Sequence, residues 1–250
     1  MSLYVLITGF GPPHWEHKLT LLENNLKTIT AHPWTKCTIE IAQYASPRDY
    51  KIPTHLLDTY HATVHYAPGI VGEFIKRHAY QPEYDYILLL LDDVELINID
   101  FPTALRYLKD FHLDVISPSL TSDSKYQYPY MQTEKINFDL KLTNVCEYFC
   151  MLFTINGFLP YYNAITLDNP WMWGLDLILG KHLYMTVGIA NHMHMKHWYK
   201  GESYQHQPDH NPYTQFLAYI ARYNETPETL ATQHAVRYYL YDALKPPSSP

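Results

Sequence analysis

Tyr84-Asp85-Tyr86-Ile87-Leu88-Leu89-Leu90-Leu91-Asp92-Asp93-Val94-Glu95-Leu96 is the stretch that decides the fold class. The unbroken apolar run from Ile87 to Leu91, with no polar alternation, describes a strand covered by helices on both faces. Such a strand belongs to an open α/β sheet, and whatever follows its carboxyl end lies in the crevice where these sheets bind ligands. Here that position holds Asp92, Asp93 and Glu95. Three neighbouring carboxylates repel one another unless a cation sits among them, and hard oxygen ligands suit Mg2+ or Mn2+, ions that commonly bridge to a diphosphate. A solvated acidic turn at a strand end would carry the same residues, so this segment alone leaves both readings open.

Working outward, Leu3 to Thr8 is a second apolar run, stopped by Gly9-Phe10-Gly11-Pro12-Pro13 as a central strand stops in a loop. Leu19, Leu22, Leu26 and Ile29 recur at helical spacing within Glu16 to Thr30, and Thr38 to Ala42 alternates like a strand. Tyr44 to Pro53 reads as a loop, the next stretch is irregular, and Pro68-Gly69 opens a helix ending near His78. Phe101 to Phe111 is predicted helical, Asp114 to Ser117 a short strand, and Thr121 to Lys135 a polar, tyrosine-rich connection. This β-α-β-α-β order predicts a three-layer α/β/α sandwich with a mainly parallel central sheet.

In the second half, Val145 to Phe153 is expected as a strand, Gly157 to Tyr162 as a short helix, Leu175 to Lys181 as an apolar helix and Met185 to Met195 as a strand. A polar loop, Tyr199 to Pro212, then precedes helices at Tyr213 to Tyr223 and Pro227 to Leu244. The reading is a single domain over residues 1–244 and a Pro/Ser tail over 245–250, whose linker chemistry suits fusion to further domains after residue 250.

Composition excludes several classes. With 250 residues, 47% hydrophobic and 17% charged, the chain can bury a substantial core, and no apolar run approaches the ~20 residues of a membrane helix. A net charge of −7 gives no general attraction to nucleic acid or anionic membrane. Cys37, Cys146 and Cys150 fit neither a disulfide framework nor a CxxC metal site, and MSLYVLITGF lacks the pattern of a signal peptide, so a soluble, cytoplasmic protein is expected. The 24 tyrosines suit a sugar-binding or aromatic surface, although a compositional habit of the source explains them as well.

The strand-plus-acid segment resembles the DxD segment of GT-A glycosyltransferases, with Asp93-Val94-Glu95 as a D-x-E variant. Trp171-Met172-Trp173-Gly174-Leu175-Asp176 is similar to the aromatic-glycine-acid segment that carries the catalytic base in many inverting GT-A enzymes. Two such motifs in the right order are more specific than either alone. Together with Glu147-Tyr148-Phe149 they most resemble the little-characterised DUF707 group, over roughly residues 3 to 200. Glu95 replaces the usual second Asp of the motif.

The resemblance implies a metal-dependent, inverting transferase that moves a sugar from a nucleotide-diphosphate donor, with UDP-hexose as the default, to a glycan or glycoprotein hydroxyl. It implies Mn2+ or Mg2+ on Asp93 and Glu95, with a late histidine completing the site. His197, next to the last core strand, is the first choice and His194 the second. Asp176 is the expected base. Thr8, Gly9, Phe10, Asp92 and Asp93 are expected at the nucleotide, where a glycine permits close backbone approach. Glu147, Trp171, Trp173 and Gly174 are expected at the sugars, the tryptophans stacking on apolar ring faces. Two other classes stay open: a metal-dependent phosphoesterase or nucleotidyltransferase using the same acids, and a non-catalytic carbohydrate-binding module.

Overall fold

The computed structural model describes residues 1–67, 71–78, 81–125, 129–135, 137–199, 212–231 and 237–239. In chain order the elements of the first half are β1 (Ser2–Phe10), α1 (Trp15–Thr30), β2 (Lys36–Gln43), α2 (Thr54–Tyr60), β3 (Ala62–Tyr66), α3 (Val71–His78), β4 (Tyr86–Leu91), β5 (Val94–Leu96), α4 (Phe101–Asp110) and β6 (Val115–Leu120). The second half continues with β7 (Leu140–Thr143), β8 (Cys150–Thr154), α5 (Ile155–Ala164), α6 (Leu179–His182), β9 (Val187–His197), α7 (Pro212–Ala221), α8 (Pro227–Ala231) and β10 (Arg237–Tyr239).

The strands join one sheet in the order β10-β7-β9-β6-β8-β4-β1-β2-β3, with β5 paired to β9 beside this path. β3, β2, β1 and β4 are parallel neighbours, and β6 and β9 are also parallel. Among the described strands β5, β7 and β8 run against the rest, so the sheet is mainly parallel in direction with antiparallel insertions. β1, β4 and β6 are buried along almost every residue, which requires cover on both faces and, for β1 and β4, satisfies the reading of their apolar runs.

Several expectations are corrected. The irregular stretch after Pro53 holds α2 and the edge strand β3, and Leu140–Thr143 is a strand that the sequence did not signal. The strand expected over Val145 to Phe153 begins only at Cys150, because Val145 to Phe149 form a buried loop. The helix expected over Leu175 to Lys181 is a 3-10 turn, Leu175–Leu177, followed by the short α6. Of the last predicted helix, the described residues hold Pro227–Ala231 as a helix, and Arg237–Tyr239 pairs with β7 as a strand. Pro68-Gly69, most of the Tyr199 to Pro212 loop and the tail over 245–250 lie outside the described residues. Among the described residues no helix is long and apolar enough to cross a membrane.

Two local features place the site. Pro118 sits in β6 where pairing to β8 has ended at Ile116, so its missing N–H interrupts no ladder there. Just beyond it the register to β9 jumps, from Pro118↔Ala190 to Ser119↔His194. This bulge turns the second half of β9 onto β5, pairing His197 with Val94 and Met195 with Leu96.

Candidate active site

The site gathers at the carboxyl ends of β1 and β4. The amide of Asp92 donates to the carbonyl of Thr8 (3.0 Å), joining the two strand ends. Gly9 has φ +79°, and a side chain there would meet Asp92 Oδ1 at 3.4 Å, so the backbone lies directly over that carboxylate. Asp92, expected at the nucleotide from the sequence, is paired with a buried cation. Its Oδ2 lies 2.6 Å from Nζ of Lys18, which also donates to the carbonyl of Gly11 (2.9 Å). Both side chains are almost fully buried. Burial pushes the Asp92 carboxyl up and Lys18 opposes this, while Asp93 adds to the rise.

Asp93 faces His197, with Oδ2 3.2 Å from Nε2. The other ring nitrogen, Nδ1, is held by the carbonyl of Lys125, which leaves Nε2 directed at the acid. The ring of Phe149 stacks on the imidazole at 4.2 Å. Burial lowers the His197 pKa, but the charge and hydrogen bond of Asp93, the Lys125 carbonyl and the nearby Glu147 together raise it above the ordinary histidine value. Asp93 Oδ1 is buried and lacks a hydrogen-bond partner among the described residues. An orphaned carboxylate oxygen beside an imidazole nitrogen is a donor set that suits Mn2+, so the residues fit the ion that the resemblance implies.

Glu95 is placed differently from the expectation. Its Oε2 accepts from Nε1 of Trp198 (3.0 Å), and it does not join Asp93 and His197 in a three-residue group of close ligand atoms. His194 lies on the opposite face of β9 from His197, its amide held by Asn98 Oδ1 (2.7 Å), as the two-residue strand period dictates.

A loop, Cys146 to Phe149, ties the remaining pieces together. The amide of Cys146 donates to the carbonyl of Asp176 (3.3 Å), Tyr148 Oη pairs with Thr8 Oγ1 (2.8 Å), and the Phe149 carbonyl accepts from Leu91 (3.0 Å). Glu147, 3% exposed, sits within this loop. Asp176 is the middle residue of the 3-10 turn Leu175–Leu177, and burial pushes its carboxyl up to about 7, against the pull of the N–H groups of Asp176, Gly174 and Leu177. Trp173 is 37% exposed and Trp171 half-buried. Gly174 has φ +85°, and a Cβ there would strike Ile220 and Phe216 at 2.8 Å, so glycine is required by the cover of α7. The ring of Phe10 is fully buried against Trp15, leaving only backbone to face a ligand.

Sequence reasoning missed three residues that build this site. Lys18 and Asn25 occupy buried positions of α1, seven apart on the stripe otherwise made by Leu21, Leu22, Leu26 and Ile29. Asn25 accepts from the amide of Leu96 (2.9 Å) and donates to the carbonyl of Val94 (2.6 Å), pinning β5 from both sides. Polar residues on an apolar stripe are the signal that would have revealed both. Tyr44, packed against Gly11, has a buried hydroxyl whose pKa is raised by burial and by the nearby Asp92, Tyr50 and Asp93.

Several solved structures superpose on this fold. Staphylococcus aureus TarS 1-349 superposes with a TM-score of 0.57, at 11% identity, over 92% of this chain and 73% of that one. GalNAc-T7, solved with UDP, GalNAc and Mn2+, gives 0.62 at 11% identity, over 88% of this chain and 48% of that one. The chain has a GT-A fold. TarS 1-349 in complex with UDP matches the same GT-A fold with a TM-score of 0.54 at 10% identity, over 92% of this chain and 73% of that chain. No family model matches the chain and no curated protein matches it by sequence.

Proposed function

We propose that the chain transfers a sugar from a nucleotide-diphosphate donor, UDP-hexose in the first instance, to a hydroxyl of a glycan or glycoprotein acceptor, with inversion. The observation that carries this reading is the Cys146 to Phe149 loop. It links the Asp93–His197 pair to Asp176, an acid whose pKa is pushed up to about 7, at the carboxyl ends of the central strands. The solved structures of TarS with UDP and of GalNAc-T7 with UDP, GalNAc and Mn2+ support the donor class. Membership of the DUF707 group rests on motif order alone.

Asp93 and His197 would hold Mn2+ or Mg2+, with Glu95 as a neighbouring acid held by Trp198. An ion held there would supply positive charge to offset that of the departing diphosphate. The backbone of Thr8 to Phe10 lines the donor side, with Lys18 compensating the buried charge of Asp92 beneath it. Asp176 accepts the acceptor's hydroxyl proton. The freed oxygen bonds to the anomeric carbon, and the bond from that carbon to the diphosphate breaks with the electron pair leaving on phosphate oxygen. A single base and a single displacement invert the anomeric centre. Trp171 and Trp173 present ring faces to the sugars, and Glu147 offers a carboxylate to their hydroxyls.

The test is turnover of a panel of UDP-sugars with Mn2+ and glycan acceptors, read as UDP release and glycan mass. Acceptor-dependent UDP release, with the glycan gaining one sugar, supports the reading. Asp176→Asn is expected to keep UDP binding and to lose turnover by about 100-fold or more. Phosphate-ester cleavage with no need of acceptor would replace transfer by a phosphoesterase.

A further inference from the structure

We infer that Glu40, His65 and His78 form a second divalent-cation site, of the zinc type, on the face of the sheet under α3. It is independent of the transfer site. The three side chains come from β2, β3 and the end of α3, and one ligand atom from each lies within 4.8 Å of the other two. Glu40 Oε2 stands 3.4 Å from His65 Nε2 and 3.7 Å from His78 Nδ1.

These separations discriminate between chemistries. A protonated histidine paired with a carboxylate closes to about 2.7–2.9 Å. Two ligands bound at about 2.0–2.1 Å to one tetrahedral zinc lie about 3.3 Å apart, close to the 3.4 Å between Glu40 and His65, and the 3.7 Å to His78 is likewise longer than a charged pair would be. His65 Nε2 is buried and lacks a hydrogen-bond partner among the described residues, as a nitrogen kept for a metal would be.

Supporting contacts hold the ligands in place. Tyr4 Oη lies 2.7 Å from Glu40 Oε2 and 3.1 Å from the carbonyl of His78, so one buried hydroxyl orients both the carboxylate and the residue that brings the second imidazole. Phe74 stacks on His78 at 4.3 Å and packs against His65 at 5.5 Å, fixing both rings. Such outer contacts are typical of built metal sites. The side chains of His65 and His78 are 30% and 33% exposed, which gives an ion access and leaves room for water as the fourth ligand. Two imidazoles and one carboxylate suit Zn2+, with Co2+ as its spectroscopic substitute.

The experiment is a titration with Co2+, followed by its visible absorption, on the full chain carrying Asp93→Asn so that the acidic site does not compete. One equivalent of Co2+ with the absorption of a tetrahedral site, displaced by Zn2+, is expected. His65→Ala and His78→Ala should abolish the band, and Tyr4→Phe should weaken binding about 10–100-fold. Circular dichroism confirms that each variant is folded. Absence of any band in the parent chain, or a band unchanged in folded His65→Ala and His78→Ala, overturns the site.

Discussion

At about pH 7 a carboxyl with the pKa of Asp176 is half ionised, so the base role proposed for it would leave a mark on rate. kcat/KM for transfer is expected to rise with pH on its acid limb, with an apparent pKa near 7. Asp176→Asn should remove the limb together with the activity. A pH profile flat from about pH 5 to 8 would exclude Asp176 as the ionising group. The Lys18–Asp92 pair belongs to the same scale. Two charges this buried are stable only together, and removing one partner of such a pair costs about 3–5 kcal/mol. Lys18→Met is therefore expected to destabilise strongly in urea unfolding, and Lys18→Met with Asp92→Leu to recover much of the loss. Equal and additive losses would mean that the pair is not coupled.

At the scale of elements, the acidic strand β5 is held in place by a helix. Asn25→Ala would leave the carbonyl of Val94 and the amide of Leu96 without the amide that now satisfies both, at about 1–3 kcal/mol for each buried group. The same variant should raise the donor KM, because β5 continues directly from Asp93 and pairs with the end of β9 that carries His197. Unchanged donor KM in a destabilised protein would separate the strand from the site. Gly174→Ala should cost about 1–2 kcal/mol from its left-handed backbone alone, before its Cβ meets Phe216 and Ile220.

What the sequence revealed at this scale follows from periodicity. β1, α1, β2, β4 and α4 carry long apolar runs or stripes and were legible within a few residues of their ends. β3 is a half-exposed edge strand and β7 spans only four residues, with Lys141 buried by its bond to Glu134, so neither shows a pattern. Cys146 to Phe149 reads as strand because a loop that knits a site together buries its side chains as a strand does. In the site itself, Asp93 and His197 were found together from motif order, whereas Glu95 went to Trp198 through a contact that no local pattern announces.

On the scale of the whole molecule, buried acids and fastened acids act on stability in opposite directions. Asp176 has its pKa raised, so the stability linked to it is full below about pH 4 and falls as pH rises through about 7. Glu225, bonded to Lys181, His182 and Thr229 at the corner before α8, is held down to about 2 despite its burial; its contribution is present above about pH 4.5 and fades as pH falls through about 2. The metal-free protein is expected to unfold at a higher temperature near pH 5 than near pH 8, and Asp176→Asn to narrow that gap. A midpoint that climbs steadily to pH 8, and that the variant leaves unaltered, would refute the assignment.

One continuous sheet also means that the proposed donor site is assembled from distant parts of the chain, β1, β4, the Cys146 to Phe149 loop and the end of β9, and exists only in the folded state. Ligand that binds only the folded state raises the unfolding midpoint. The most direct measurement of the central claim is thus thermal unfolding with UDP and with GDP, each with and without Mn2+, for the parent chain, Asp93→Asn and His197→Ala. The account predicts stabilisation by UDP that requires Mn2+ and is lost in both variants. No stabilisation by either nucleotide, or stabilisation by UDP that ignores both Mn2+ and Asp93, would contradict it.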